Sequence, residues 1–156
     1  MSSSYSGVAR ALGVDFGDRR TGIAISDPLG WTAQGLEVAT GGMQLAAAQI
    51  VRLTQQYEIE TIVVGYPINM DGTKGFRAER ADGFIAELAR QLGGGGAEIV
   101  RWDERLTSVE AARVIRESGG RPTSRKVREK GSLDIVSATI LLQSYLDSRR
   151  QDAPVG

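Results

Sequence analysis

Near residue 43 the apolar side chains of this chain change period, and that change sets its fold class. Up to that point they alternate as strands do, and beyond it they recur every three to four residues or in short continuous runs. Residues 9–16 read as a strand, Gly17-Asp18-Arg19-Arg20 as a turn and 21–26 as a second strand, which together make a hairpin. Asp27-Pro28-Leu29-Gly30 carries type I turn chemistry, and a weaker strand follows at 32–38. Three consecutive strands in an antiparallel meander are expected.

The rest of the chain interleaves helix and strand. Leu45, Ala48, Val51 and Gln55 stand at helical spacing and predict a helix over 43–57. The run at 61–65 reads as a strand buried on both faces. A loop follows at 67–74, then a helix over 76–92 with Phe84, Ile85, Leu88 and Leu92 apolar, closed by the glycines at 93–96. Residues 98–102 form another strand. Thr107-Ser108-Val109-Glu110 reads as a capping box opening a helix that stops at Gly119-Gly120. After a polar loop at 121–130 the last helix runs over 133–148. The order βββαβαβαα requires parallel pairing with right-handed crossovers. The expectation is an α/β protein: a five-stranded mixed sheet, its first three strands antiparallel, flanked by helices. One domain is expected over 1–156, with 1–8 and 149–156 as flexible tails.

Composition limits the chemistry. The 156 residues hold 19 Lys and Arg against 19 Asp and Glu, so net charge points to no partner, and there is no Cys and no His. Disulfides, thiolate nucleophiles, Cys/His zinc sites and imidazole bases are excluded. An enzyme built from this chain must use carboxylates, Lys or Arg, hydroxyls or a hard metal ion. No run of 18 apolar residues is present and the first residues lack the features of a signal peptide. A cytoplasmic protein without a membrane partner is expected.

Three acids stand where acids are costly. Asp15 ends the first strand on the face of Ala11 and Gly13. Glu104 follows the strand 98–102 and continues the face of Val100 and Trp102, whereas Asp103 points away. Asp134 lies in the first turn of the last helix with Ala138, Leu141 and Tyr145 at i+4, i+7 and i+11. Each has a plainer explanation: a turn former, a solvated loop salt bridge within Asp103-Glu104-Arg105, and a first-turn acid complementing the helix dipole. Yet the C-terminal ends of parallel strands meet at one edge, where α/β sheets place their sites. Carboxylates meeting there without nitrogen or sulfur donors favour Mg²⁺ or Mn²⁺. Two ions about 4 Å apart would clamp the attacking water and the leaving oxygen of a phosphodiester.

The basic residues support a phosphate-rich substrate. Arg121, Arg125, Lys126, Arg128 and Lys130, against Glu129, make a local charge of +4 just before Asp134. Such a loop beside a carboxylate site would hold a phosphate backbone. Arg19 and Arg20 in the first turn can do likewise. Trp31 and Trp102 are assigned to the core. Asp15-Phe16-Gly17 spells the kinase metal motif, but neither a kinase Gly-rich loop nor a catalytic loop is present. The same residues with Asp18 are similar to the phosphate loop of two-lobed ATPases, for which the chain is too short.

Together several segments resemble the YqgF/RuvX family. Leu12-Gly13-Val14-Asp15-Phe16-Gly17 with Arg20-Thr21-Gly22-Ile23-Ala24-Ile25-Ser26-Asp27 resembles its opening. Val64-Gly65-Tyr66-Pro67-Ile68-Asn69-Met70-Asp71-Gly72 resembles its central loop, and Trp102-Asp103-Glu104-Arg105-Leu106-Thr107-Ser108 its acidic motif. Residues 130–145, with Asp134, resemble its last helix. The resemblance covers about 10–148 and implies a bacterial, cytoplasmic protein with an RNase H-like fold. It implies a metal-dependent endonuclease leaving 5′-phosphate and 3′-hydroxyl ends, either processing the 5′ end of pre-16S rRNA in ribosome biogenesis or acting on DNA like a Holliday junction resolvase. By analogy Asp15 bridges two ions, Glu104 holds one and orients the water, and Asp134 completes the site. Arg20, Asn69, Arg105, Arg125, Lys126, Arg128 and Lys130 are then the candidates for holding structured RNA or branched DNA. Symmetric junction cleavage would need a homodimer; end trimming would not. The chain departs from the family at Asp18, where Thr is usual, at Tyr66 and Ile68, where leucines are usual, and in its four-glycine run. The rival readings are a nucleic-acid binder without chemistry and a small phosphotransferase or ATPase.

Overall fold

The computed structural model describes residues 10–117 and 132–152. Its elements are β1 (Ala11–Asp15), β2 (Arg20–Ser26), β3 (Ala33–Thr40), α1 (Met43–Gln56), β4 (Thr61–Tyr66), α2 (Phe76–Leu92) and β5 (Glu98–Asp103), followed by a 3₁₀ turn (Glu104–Leu106), α3 (Val109–Glu117) and α4 (Ser132–Asp152). The strand order is β3-β2-β1-β4-β5. The pairs β1–β2 and β2–β3 are antiparallel, and β1–β4 and β4–β5 parallel, as the element order requires.

The pleat divides the sheet between two cores. Leu12, Val14, Ile62 and Val64 face α1 and α2, packing with Ile50, Leu53, Phe84 and Leu88. Ala11, Ala24 and Val63 face α4, packing with Ala138, Leu141, Leu142 and Tyr145. The expectation for 61–65 holds: Ile62, Val63 and Val64 are buried although they point to both faces. A Cβ on Gly13 would stand 2.6 Å from Leu142 Cβ, so the missing side chain lets α4 lie against β1. The buried hydroxyls of α4 are satisfied locally, Thr139 donating to the Ile135 carbonyl and Ser144 to that of Ile140. Ser144 Oγ also accepts from the Ser108 N–H at 3.0 Å and ties the start of α3 to α4. Among the described residues no helix is long and apolar enough to cross a membrane.

Four local expectations are corrected. In α1 the buried side is Ala46, Ala47, Ile50, Leu53 and Thr54, whereas Leu45 is exposed and covers Gly41. Two of these buried residues are alanines, so the helix turns a smaller stripe inward than its largest side chains suggest. The cap of α3 is Ser108, not Thr107: Ser108 Oγ accepts from the Ala111 N–H at 3.0 Å, while the Thr107 N–H closes the 3₁₀ turn on the Glu104 carbonyl. The last helix continues beyond 148 to Asp152, so residues 149–152 are not a tail. Trp31 is not core: it is 53% exposed, with the Arg150 guanidinium 5.1 Å above its ring. Asp27 explains this, because its Oδ1 accepts from the Trp31 and Thr32 N–H groups and holds the turn outside the sheet. Trp102 is half-buried and meets Tyr145 edge-on. The tail 1–8 and the stop at Gly119-Gly120 lie outside the described residues.

Candidate active site

Two glycines flank Asp15 and make room for the other acids. Across the antiparallel pair Asp15 faces Gly22. A Cβ on Gly22 would stand 2.0 Å from the Asp134 carbonyl oxygen, so the first turn of α4 rests directly on β2 at this rung. On the other side Val14 pairs with Val64, which puts Gly65 beside Asp15 at the next rung. There a Cβ would stand 3.0 Å from Glu104 Oε2 and 3.1 Å from Leu141 Cδ2. Glu104 reaches this point because β5 ends at Asp103 and the 3₁₀ turn carries the next side chain over the strand ends. The three acids picked from the sequence are thus brought to one edge of the sheet. A cleft of about 300 Å³ opens there, lined by Asp15, Glu104, Arg77, Arg116 and Ser137 among others.

Among the described residues the charges at this edge do not cancel. Asp15 is pushed up to about 7, by burial first and then by repulsion from Glu104 and Asp134, with the Arg77 guanidinium opposing. Glu104 is also raised, mainly by burial, with Arg77 again opposing and Asp103 adding repulsion. Asp134 has a cation of its own: its Oδ2 lies 3.4 Å from Arg20 Nε. Among the described residues no three acid side chains are drawn together tightly enough to cage an ion as they stand. The donor set nevertheless fits a hard divalent cation, which keeps several waters and shares its shell with substrate phosphate rather than needing a full protein cage. A chain with no Cys or His offers oxygen ligands alone, and a cation would relieve the repulsion that burial imposes on Asp15.

The other expected site residues divide. Arg20 reaches the acid edge through Asp134. Arg105 does not: its guanidinium is bound to Asp103, with Nη2 2.8 Å from Oδ2 and Nε 3.1 Å from both carboxylate oxygens. Asn69 also stays in its own loop, donating to Thr73 Oγ1 at 3.0 Å, and lines no part of the acid cleft. Arg125, Lys126, Arg128 and Lys130 lie outside the described residues. Arg77, which acts on both raised acids, is the residue that sequence reasoning missed, with Arg116 beside it in the cleft. The signal was available. A helix that follows a parallel strand begins at that strand's C-terminal edge, so a basic residue in the first turn of α2 must stand over the acids.

Fold and edge together define a mixed α/β sheet with acids gathered at the ends of its parallel strands. Residues 9–148 match the model of the family described as RuvX, Holliday junction resolvase. The chain is 45% identical over 140 residues to a Ruminiclostridium cellulolyticum protein named "Putative pre-16S rRNA nuclease", covering 88% of this chain and 94% of that one. A protein of the same name from Halothermothrix orenii is 47% identical over 139 residues, covering 88% and 94%. Among solved structures, Thermus thermophilus RuvC in complex with a Holliday junction superposes with a TM-score of 0.58 at 15% identity, covering 91% of this chain and 96% of that one. The large terminase nuclease of phage G20c gives 0.56 at 15% identity, covering 88% and 82%. These likenesses establish an RNase H-like fold, and the chain belongs to the RuvX family.

Proposed function

We propose that this chain is a divalent-metal-dependent endonuclease that hydrolyses phosphodiesters in structured RNA, acting in the cytoplasm on the 5′ end of pre-16S rRNA. The observation that carries the reading is the acid edge: Asp15 lies between Glu104 and Asp134 over two glycines, with arginines as the nearest cations among the described residues. Asp15, Glu104 and Asp134 would hold Mg²⁺ or Mn²⁺. When bound, such ions supply Lewis-acid stabilisation of the phosphoryl oxygens and a nucleophilic water at neutral pH. Glu104 would orient the attacking water. Arg77, between the acids and the open cleft, offers a guanidinium to the phosphate. The pre-16S assignment rests on the names of relatives at 45–47% identity. The family's description favours branched DNA as the second substrate.

The test incubates pure protein with structured RNA and a four-way DNA junction, in EDTA, Mg²⁺ or Mn²⁺, beside Asp15→Asn, Glu104→Gln and Asp134→Asn. Cutting that needs the metal and falls at least about a thousandfold in each variant is expected, with RNA preferred. A variant that keeps the wild-type rate removes its residue from the site. No cutting in any lane, with binding intact, replaces the nuclease with a nucleic-acid binder.

A further inference from the structure

A second cleft of about 240 Å³ adjoins the acid edge, and Arg77 and Glu104 line both. Its other walls include Gly17 and Asp18 from the β1–β2 turn and Phe76 and Arg80 from α2. Arg77 and Arg80 stand three residues apart and so share a face of the helix. Asp18 Oδ1 forms an ion pair with Arg80 Nη2 at 2.6 Å, between side chains 59% and 40% exposed. The Arg80 guanidinium stands 5.2 Å from the Phe76 ring centroid, and its Nε is buried without a hydrogen-bond partner. The guanidinium is a planar cation on a 40% exposed side chain beside the cleft, although Nε itself is out of a ligand's reach as the side chain stands.

We propose that this cleft is a second phosphate subsite, in which Arg80 takes the backbone phosphate next to the reacting one and Asp18 occupies Arg80 until the strand arrives. The inference rests on the reading that a nucleic-acid strand crosses the acid edge. Asp15, Glu104 and Asp134 repel phosphate, so a strand crossing there needs cations on the flank. Arg77 faces the acids, and Arg80 is the next cation along the same helix face. A carboxylate presents two oxygens to a guanidinium much as a phosphate does. Exposed carboxylate pairs are weak and screened by salt, so the exchange costs little. Asp18, where the family usually carries Thr, thus spends its charge on Arg80 and is not a metal ligand.

Binding of a fluorescein-labelled RNA hairpin with a single-stranded extension, measured by anisotropy in EDTA between 50 and 200 mM salt, tests this. Asp18→Ala should bind about two- to fivefold tighter at low salt, the worth of an exposed pair. Its salt slope should match that of wild type, because Arg80 meets the same phosphate in both, whereas Arg80→Gln should lose about 0.7–0.9 of slope, one phosphate contact. Arg80→Gln should bind more weakly than wild type, and Asp18→Ala should add nothing in that background. No gain in Asp18→Ala, or an equal gain with and without Arg80, overturns the subsite, the second result reducing Asp18 to a general field effect. Arg80→Lys keeps the charge, and melting curves on every variant separate misfolding from lost contact. Cleavage is scored separately with Mg²⁺ and Mn²⁺. Wild-type protein that never cuts sinks the nuclease reading and leaves the binding result standing, whereas a flat Asp18→Ala result with cutting intact sinks the subsite alone.

Discussion

Gly65 and Tyr66 are neighbours in β4, and the acids beside them are treated in opposite ways. On the face of Tyr66, Asp82 accepts from the Tyr66 hydroxyl at 2.9 Å and from Arg101 at 3.2 Å, with Lys74 Nζ at 3.6 Å. Those partners, the tyrosine first, hold its carboxyl below the ordinary range despite some burial. On the face of Gly65, Asp15 meets burial and two more acids, and is raised to about 7. One acid is satisfied by the chain itself, and the other is left short of positive charge. The chain is neutral overall, with 19 Lys and Arg for 19 Asp and Glu, so among the described residues the shortage is local. An edge so arranged is suited to taking up cations from solution.

The contrast breaks most visibly if Asp15 is neutralised. A rise from 3.8 to about 7 corresponds to an upper limit of about 4 kcal/mol of native-state penalty. The folded value lies above the unfolded one, so the penalty is complete above about pH 7, shrinks as pH falls and vanishes below about 3.8. Metal-free Asp15→Asn should therefore melt several degrees above wild type at pH 8. That gain should fade between pH 7 and 4, and calorimetry in EDTA across that range reads it. A constant difference at all pH values would mean that charge is not what strains this edge. Saturating Mg²⁺ should narrow the gap, because the ion stabilises the wild type alone.

The next largest effect tests how the edge is assembled. Gly22→Ala places a Cβ 2.0 Å from the Asp134 carbonyl, a backbone atom that cannot swing aside. Overpacking of this kind costs about 1–3 kcal/mol, and here it also lifts Asp134 away from Asp15. Urea unfolding should show the stability loss. A metal titration followed by melting temperature should show weaker Mg²⁺ stabilisation than in wild type. Full retention of both would mean that α4 is placed by its apolar contacts alone.

Much of this was legible because the informative signals were local or periodic. Asp15, Glu104 and Asp134 each break an apolar face, and element order sends all three to the C-terminal ends of parallel strands. Other features depend on distances that only the folded chain sets. The buried stripe of α1 differs from the expected one because two of its members are alanines, weak in any hydropathy pattern. Trp31 was assigned to the core by its size, whereas the hydrogen bonds of Asp27 hold its turn outside. Arg105 belongs to a motif that resembles the family's acidic segment, yet an i, i+2 pairing across a 3₁₀ turn gives it to Asp103. Arg77 differs from these: its own spacing marks nothing, but element order sets the first turn of α2 over the acids, so its place could be read from the sequence. The departure at Tyr66 is explained only in three dimensions, since the longer side chain reaches Asp82.

That tyrosine gives the smallest prediction. Tyr66→Phe removes one hydrogen bond from Asp82 but leaves Lys74 and Arg101 in place, so the loss should be about 1 kcal/mol or less. Asp82→Asn should cost a similar amount, as expected for a largely solvated cluster. The lowered carboxyl contributes stability above about pH 3.8 that is lost as pH falls further. The gap between Asp82→Asn and wild type should therefore be level from neutral pH down to about 4 and close below it, opposite to Asp15→Asn, whose gain changes between 7 and 4. Cleavage should be unaffected in both Tyr66→Phe and Asp82→Asn, because neither side chain lines the acid cleft. If either variant slows cutting without lowering the melting temperature, the two faces of β4 are coupled, and the division between a self-satisfied acid and one left short of charge would have to be redrawn to include the loop that carries Lys74.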